Sequence, residues 1–170
     1  PCVRSGPPAV ESVLGAPVPL EVAGETLVSS LRSTVLVLGA AGPGDGERSC
    51  VVKCDSWSAI DLPVVRRAFP EVPWLFLYND PAEIIASQML RRGAQMIPGV
   101  LPPELVGIDP ATAASLPPEE YCARVLAAIF AAALEGYEAD PGHCAVAHYR
   151  TLPDLVSDAV APMFSLDLDA

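Results

Sequence analysis

The chain has 170 residues, a formal net charge of −11 and five cysteines. Its length is enough for one domain with a buried core, because domains of about 150 residues bury roughly 70% of their unfolded surface. The negative charge argues against nonspecific binding to nucleic acid or to an anionic membrane, since both need a concentrated basic face. No apolar run approaches the roughly 20 residues that span a bilayer, so we expect a soluble protein.

The beginning of the chain and its cysteines bear on where the protein works. Residues 1–8 have no initiator Met and lack the basic-then-apolar layout of a signal peptide, which suggests a fragment or a processed product. The cysteines are odd in number and have no paired metal spacing, which argues against a disulfide framework and against a zinc site. We therefore predict a cytoplasmic protein without a metal, and its oligomeric state stays open.

The first periodic segment predicts a helix. Its apolar residues are spaced by three and four, as on one helical face: Leu27, Val28, Leu31, Val35 and Leu38. The glycine-rich residues 39–46 then superficially resemble a phosphate-binding loop of the Walker type. That loop needs Lys and then Ser or Thr after its last glycine, whereas Asp45 and Glu47 flank Gly46 here and repel phosphate. We predict a solvent-exposed loop.

Apolar runs and helical patterns alternate in the middle of the chain. Residues 50–54 predict a strand, residues 59–69 a helix and residues 74–78 a buried strand. A further helix begins at Pro81, with Asp80 as its N-cap, and continues to about residue 92. This alternation favours an α/β fold with a parallel sheet and helices on its faces.

The last third of the chain continues the pattern after an irregular stretch. Residues 93–118 are rich in Pro and Gly and predict a long ordered loop or a lid. A strong helix is expected from about residue 118 to 137, a strand at 144–149 and a final helix over 152–164, broken near Pro162. We expect the strands at 49–54, 74–78 and 144–148 to lie in one parallel sheet, because each is joined to the next by a crossover helix.

Polar residues follow the buried strand at 74–78, at the turn Asn79-Asp80-Pro81. The carboxyl edge of a parallel sheet is where ligands bind in open α/β folds, and a helix N-terminus offers free N–H groups to an anion. An ordinary capped turn between a strand and a helix explains the same residues, and the pattern alone does not choose between these readings.

This passage resembles the sulfotransferase family, in which a strand leads to Arg-Asp-Pro and then to a helix with a Ser eight positions after the Arg. Asn79 stands at the Arg position and Ser87 at the Ser position. The resemblance implies that both residues bind the 3′-phosphate of the sulfuryl donor, phosphoadenosine phosphosulfate (PAPS). Asn lacks the charge and the planar fork of donors that Arg offers to phosphate.

Two other passages are similar to the same family. Residues 51–55 resemble its strand that ends in Lys-x-His, so that Asp55 takes the place of the base that deprotonates the acceptor and Lys53 supplies a cation. A cap at the strand end is the alternative role for Asp55. Residues 147–153 resemble the family's Tyr-Glu-Asp-Leu passage, which implies that Tyr149 approaches the adenine, although Arg150 and Thr151 differ from it.

Two aromatic residues are candidates for the acceptor pocket. Trp57 follows Asp55 closely, and His148 precedes Tyr149 at a predicted strand end. Ordinary core packing is the alternative for the first, and a strand-end histidine without a ligand is the alternative for the second. No Ser-His-Asp arrangement follows from the spacing of the two histidines.

We interpret residues 1–170 as one sulfotransferase-like domain, a three-layer α/β sandwich related to the P-loop NTPase fold. The family's loop for the 5′-phosphosulfate has no counterpart in these residues, so we expect the domain to be incomplete at its N-terminus. The resemblance implies sulfuryl transfer from PAPS to a hydroxyl or amine of a small molecule. A noncatalytic binding or structural domain that lost the donor site is the alternative, and a P-loop kinase relative is a third.

Overall fold

The computed structural model describes residues 2–5, 20–40, 50–152 and 154–166. Its strands are β1 (Cys2–Ser5), β2 (Cys50–Lys53), β3 (Trp74–Tyr78) and β4 (Cys144–His148). Its α-helices are α1 (Leu20–Ala40), α2 (Leu62–Ala68), α3 (Pro81–Leu90), α4 (Pro103–Val106), α5 (Pro110–Ser115), α6 (Pro118–Ala139) and α7 (Ala161–Met163). Short 3₁₀ turns lie at Ser56–Ala59, Ala94–Met96, Pro141–His143 and Tyr149–Thr151.

The described strands form two separate parallel pairs. β1 pairs with β2, and β3 pairs with β4 in a register that sets Trp74 beside Cys144 and Tyr78 beside His148. The expectation of one sheet that joins β2 to β3 and β4 is therefore wrong for the described strands. A helix that connects two strands favours a parallel direction for them. It does not decide which strands become hydrogen-bonded neighbours. The fold is α/β in this loose sense, with most of the described residues in helices and turns.

Helix α6 lies at the centre of the larger core. The residues expected on its buried side, Tyr121, Val125, Ile129 and Ala133, are all almost inaccessible, and Ala132 is half-buried. Their spacing of four residues returns to the same helical face at each turn, which is why the sequence pattern located them. Around α6 pack α3, α4, the 3₁₀ turn Ser56–Ala59 and strand β4.

The segment at residues 93–118 is a folded part of this core, which corrects the expectation of a loop or lid. It contains the turn Ala94–Met96 and the short helices α4 and α5. It also buries five apolar side chains in the cluster around α6: Met96, Leu101, Val106, Ile108 and Ala113. Their spacing is irregular because the backbone turns repeatedly between them, so no helical or strand period was visible in the sequence.

A smaller core lies between α1 and α2. Leu31, Val64 and Ala68 are buried there, with half-buried apolar side chains of α1 around them. The helix expected from the apolar residues of this segment is thus confirmed, and positions 27, 28, 31, 35 and 38, predicted to share one face, all belong to the cluster that includes Val64 and Ala68 of α2. Glu25 of α1 pairs with Arg67 of α2 at 2.7 Å between a carboxylate oxygen and a guanidinium nitrogen.

Helix α2 packs on both cores through different faces. Val64 and Ala68, four positions apart, face α1, whereas Leu62 approaches α6 at Gly136. A Cβ atom at position 136 would lie 2.2 Å from Leu62 Cδ2, which is closer than real Cβ atoms approach, and a tight 3.3 Å from Trp74 Cζ2. Glycine at this crossing therefore lets the Leu62 and Trp74 side chains pack directly against α6.

An arginine clamp reinforces the same junction. The guanidinium of Arg66 on α2 donates to the backbone oxygens of Phe69, Pro70 and Val72 and also to the carboxylate of Asp140. His143 Nδ1 lies 3.0 Å from the same carboxylate. Arg66 and His143 hold the pKa of Asp140 below its usual value through hydrogen bonds and charge.

Some predicted boundaries shift near prolines. The expected helix at 59–69 divides into the turn Ser56–Ala59 and helix α2, because Pro63 lies in the first turn of α2 and disfavours helical backbone just before it. The expected last helix contains a π-helical turn, Val156–Val160, before Pro162. Of the glycine-rich residues 39–46, only the first two are described, and they belong to α1.

None of the helices within the described ranges is both long enough and apolar enough to cross a membrane.

Candidate functional site

A cleft of about 380 Å³ opens at the carboxyl ends of β3 and β4. Strand ends, helices α3 and α6 and the 3₁₀ turns contribute to it, because parallel strands bring the residues that follow them to one edge. Its lining is uncharged and combines aromatic, amide and apolar side chains: Ser56, Phe76, Leu77, Tyr78, Asn79, Ile84, Gln88, Gln95, Met96, Leu126, Phe130 and Tyr149. Such a lining suits a small, flat ligand with a few polar groups.

Aromatic rings form one wall of the cleft. Phe130 of α6 meets Phe76 edge to face, with ring centroids 5.8 Å apart, and meets Tyr78 at 6.3 Å. On the adjacent strand, the ring of His148 lies edge-on to Tyr78 at 5.1 Å. These pairs fix the ring orientations, because edge-to-face contacts are favoured by the aromatic quadrupole.

The amide of Asn79 is only half satisfied. Its Nδ2 donates to Glu83 Oε2 at 3.0 Å, whereas its Oδ1 is buried and accepts no hydrogen bond. Just after it, Asp80 caps α3 as the sequence predicted, with Oδ1 accepting from the N–H of Ala82 at 2.8 Å. A buried acceptor without a partner is unfavourable, and this oxygen is closed to solvent, so the Asn79 side chain has to turn before a ligand hydroxyl or amine can reach it.

Two of the residues predicted to bind the sulfuryl donor lie together in the structure. Asn79 and Tyr149 both line the cleft, from the ends of neighbouring strands. Ser56 lines it too, and its neighbour Asp55 has extended backbone and makes no side-chain hydrogen bond to cap the turn that follows. Asp55 does hold the cap position at the strand end, the alternative role, through its backbone oxygen, which accepts from the N–H of Ser58 at 3.0 Å.

The other predicted site residues lie elsewhere. Ser87 is exposed on α3 and does not line the cleft, because its neighbour Gln88 is the residue that faces the cleft. Lys53 is exposed at the end of β2, in the other strand pair. Trp57 is half-buried against the core around α6, and His148 accepts the backbone N–H of Arg150 at its Nδ1, with 3.0 Å between the nitrogens.

Two charged residues at the rim were not singled out from the sequence. Arg150 follows Tyr149, and its guanidinium donates to Glu83 Oε1 across the strand ends. Glu83 thus holds both Arg150 and Asn79. The sequence signal was present but read as a mismatch, since Arg150 stands where the family passage has an acidic residue.

A third overlooked residue, Asp61, lies before α2. Burial raises the pKa of this carboxyl from 3.8 to about 6, and its Oδ2 has no hydrogen-bond partner. The buried Oγ of Ser58 has none either. Nothing in the sequence separates Asp61 from an ordinary N-cap, and it does not line the cleft.

Comparison with protein-family models, with curated proteins and with solved structures gives no match to this chain. Among the side chains that the structure describes, no group of three or more His, Cys, Asp or Glu residues is placed to hold a metal ion.

Proposed function

We propose that the chain is a sulfotransferase-like domain that binds PAPS and transfers its sulfuryl group to a hydroxyl or amine of a small molecule. The single observation behind this proposal is that Asn79 and Tyr149 line one cleft at the carboxyl edge of β3 and β4. These are two of the residues that the sequence resemblance assigns to the donor nucleotide. Asp55, the proposed base, does not itself line the cleft, but it precedes Ser56, which does.

The cleft has features that suit the nucleoside part of the donor. Its aromatic wall offers stacking and edge contacts to a purine. The buried Oδ1 of Asn79 accepts a hydrogen bond from a ribose hydroxyl or an exocyclic amine. The amide groups of Gln88 and Gln95 add both donors and acceptors to the lining.

In the proposed reaction the Asp55 carboxylate takes the proton of the acceptor hydroxyl or amine. The acceptor atom then attacks sulfur in line, and the bond between sulfur and the 5′-phosphate oxygen breaks. The electron pair of that bond leaves with adenosine 3′,5′-bisphosphate. The resemblance gives the stabilisation of the charge on the leaving phosphate to Lys53, whereas Lys53 is exposed at the end of β2 and does not line the cleft.

The test combines binding and transfer. Amide chemical shifts are followed while adenosine 3′,5′-bisphosphate is added, and sulfuryl transfer from PAPS to phenols and primary amines is measured separately. We expect weak binding, with a dissociation constant of about 1 mM, because Asn79 is neutral where the family uses Arg. Asn79→Arg should strengthen binding, and Asp55→Asn should abolish transfer but leave binding unchanged. Absence of shift changes at the cleft would overturn the proposal.

A binding domain without transferase activity is the second candidate. It is favoured by the lining of the cleft, which contains no charged side chain to neutralise a nucleotide phosphate. This candidate predicts that adenosine binds as tightly as adenosine 3′,5′-bisphosphate and that no sulfuryl transfer occurs. The same titrations, performed with both compounds, therefore separate the two candidates.

A further inference from the structure

Three polar side chains meet at the carboxyl edge of β3 and β4. Asn79 follows β3 directly, Arg150 lies two residues after the end of β4, and Glu83 is in the first turn of α3. The register that pairs Tyr78 with His148 brings the two strand ends side by side. Arg150 therefore meets Asn79 and Glu83 at the rim of the cleft although it lies 67 residues after Glu83 in the chain.

Glu83 is the member that joins the other two. One of its carboxylate oxygens accepts from Asn79 Nδ2 at 3.0 Å, and the other accepts from the guanidinium of Arg150. Both charged side chains are open to solvent, with 68% of the Arg150 side chain and 48% of the Glu83 side chain exposed. Ion pairs this exposed stabilise proteins only slightly, so a ligand anion can replace the carboxylate with little loss of free energy.

Arg150 is anchored through its backbone. Its N–H donates to His148 Nδ1 at 3.0 Å, and the ring of His148 lies against Tyr78. Thr151 Oγ1 donates to the backbone oxygen of His148 at 2.7 Å, which fastens the same turn. The start of the Arg150 side chain is therefore fixed beside the cleft, whereas its guanidinium is held only by Glu83 among the described residues.

We propose that Arg150 is the anion-binding residue of the cleft and that Glu83 occupies the place of a ligand phosphate until the ligand arrives. The inference rests on the proposed function, since it takes a phosphorylated nucleoside as the ligand. A guanidinium offers phosphate a planar, two-pronged set of donors, which the amide of Asn79 cannot supply. In this arrangement the cation is Arg150, which follows β4, whereas the resemblance expects an Arg directly after β3. Asn79, which stands at that position, becomes a neutral partner for a ligand hydroxyl.

Glu83 then works as an internal competitor. When the phosphate of the ligand pairs with Arg150, the Glu83 carboxylate loses the guanidinium and keeps the Asn79 amide as its partner. Removal of the carboxylate charge should therefore favour phosphate binding, whereas removal of the guanidinium should weaken it. Neither change should affect adenosine, because adenosine has no phosphate to place at the rim.

The experiment compares adenosine and adenosine 3′,5′-bisphosphate by amide chemical-shift titration of the whole chain. Four variants are used: Arg150→Gln, Arg150→Lys, Glu83→Gln and, as a control, Arg124→Gln. The control removes a guanidinium that pairs with Glu120 on α6 at 2.7 Å, with similar exposure and no part in the cleft. Circular dichroism checks that each variant is folded.

We expect Arg150→Gln to weaken bisphosphate binding about fivefold and Glu83→Gln to strengthen it about fivefold. Arg150→Lys should fall between the wild type and Arg150→Gln, and the control should match the wild type. If the bisphosphate binds and Arg150→Gln leaves its affinity unchanged, the role of Arg150 is refuted and the proposed function stands. If neither compound shifts any cleft residue in the wild type or in Glu83→Gln, both proposals are overturned.

Discussion

Two regions of the molecule differ in how their cores are built. The first, called here the α6 region, consists of α6, β3, β4 and residues 93–118, and it surrounds one long helix with buried side chains from several elements. The second, called the α1 region, consists of α1, β1 and β2. Among the side chains that the structure describes there, the buried cluster is Leu31 of α1 with Val64 and Ala68 of α2. The α6 region also contains the cleft, so the binding site is built on the larger core.

Helix α2 links the two regions, and the difference between them lies in how much each contributes to stability. On one side α2 contacts α1, and on the other it meets α6 at Gly136 and clamps Asp140 through Arg66. Buried apolar area is the main source of stability, so the region with more of it should unfold last. Truncation in each core tests this ranking directly, and substitutions at the junction and at two carboxylates refine it.

Truncation of a buried residue in each core gives the largest effect and the most direct comparison. Ile129 of α6 is 1% exposed and Leu31 of α1 is 2% exposed. We expect Ile129→Ala to lower the free energy of unfolding by about 4 kcal/mol and Leu31→Ala by about 2 kcal/mol, because the smaller core collapses more easily around a lost side chain. Urea denaturation measures both. Equal losses would show that the two cores are not different in this respect.

The crossing of α6 and α2 is tested by adding one methyl group. In Gly136→Ala the new Cβ would meet Leu62 Cδ2 at 2.2 Å, so the Leu62 side chain must leave its place at the crossing of α6 and α2. Overpacking of this kind lowers the free energy of unfolding by about 2 kcal/mol, more than the helix propensity of alanine adds. Gly142→Ala is the control, because its Cβ would have nothing nearer than 3.9 Å. Thermal unfolding of the two variants should differ clearly.

Asp61 should make the free energy of unfolding depend on pH. Because burial raises its pKa from 3.8 to about 6, the stability present below pH 3.8 is lost as the pH rises through about 6. Asp61→Asn removes this loss and should raise the free energy of unfolding at pH 7 by about 1 kcal/mol, after a discount for solvent screening. Denaturation at several pH values should show that the free energy of unfolding depends less on pH in Asp61→Asn than in the wild type. The control Asp158→Asn alters an exposed carboxylate and should keep the wild-type dependence.

Asp140 should show the opposite dependence, with the smallest effect of the four. Its pKa is lowered by His143 and Arg66, so its stabilising contribution is present above the unfolded value and is lost as the pH falls. In Asp140→Asn this loss in acid should disappear. Acid titration of the unfolding midpoint, at low and high salt, tests it. If Asp140→Asn loses as much stability in acid as the wild type, other carboxylates dominate the pH dependence.

Most elements of the α6 region were predicted because their apolar residues follow a regular pattern. Its irregular segment, residues 93–118, was not predicted. The strands β3 and β4, helix α6 and the Asp80 cap follow from apolar runs, periodicity and local hydrogen bonding. Residues 93–118 were misread because their apolar side chains reach the core without any fixed spacing. The pairing of β2 with β1 depends on contacts between distant segments, which local pattern does not encode.

The candidate site was predicted in part for the same reason. Asn79 and Tyr149 were found because each directly follows a strand, and parallel strands end at one edge. Arg150 and Glu83 come together only through the strand register, and the one sequence signal, an Arg where the family passage has an acidic residue, was read as a mismatch. Ser87 was misplaced because a spacing of eight residues does not fix the rotation of a helix relative to a cleft, and Gln88 faces it instead.

The pairing of β3 with β4 has a consequence for how the molecule folds. The two strands are separated by α3, by residues 93–118 and by all of α6, so their contacts close a very long stretch of chain. Such nonlocal contacts slow folding, because the entropy of closure is lost before the contacts form. Helix α6 can form early from local interactions, whereas the cleft exists only after β4 has reached β3. Ligand binding should therefore be recovered in the last kinetic phase of refolding, after most of the helical signal has returned.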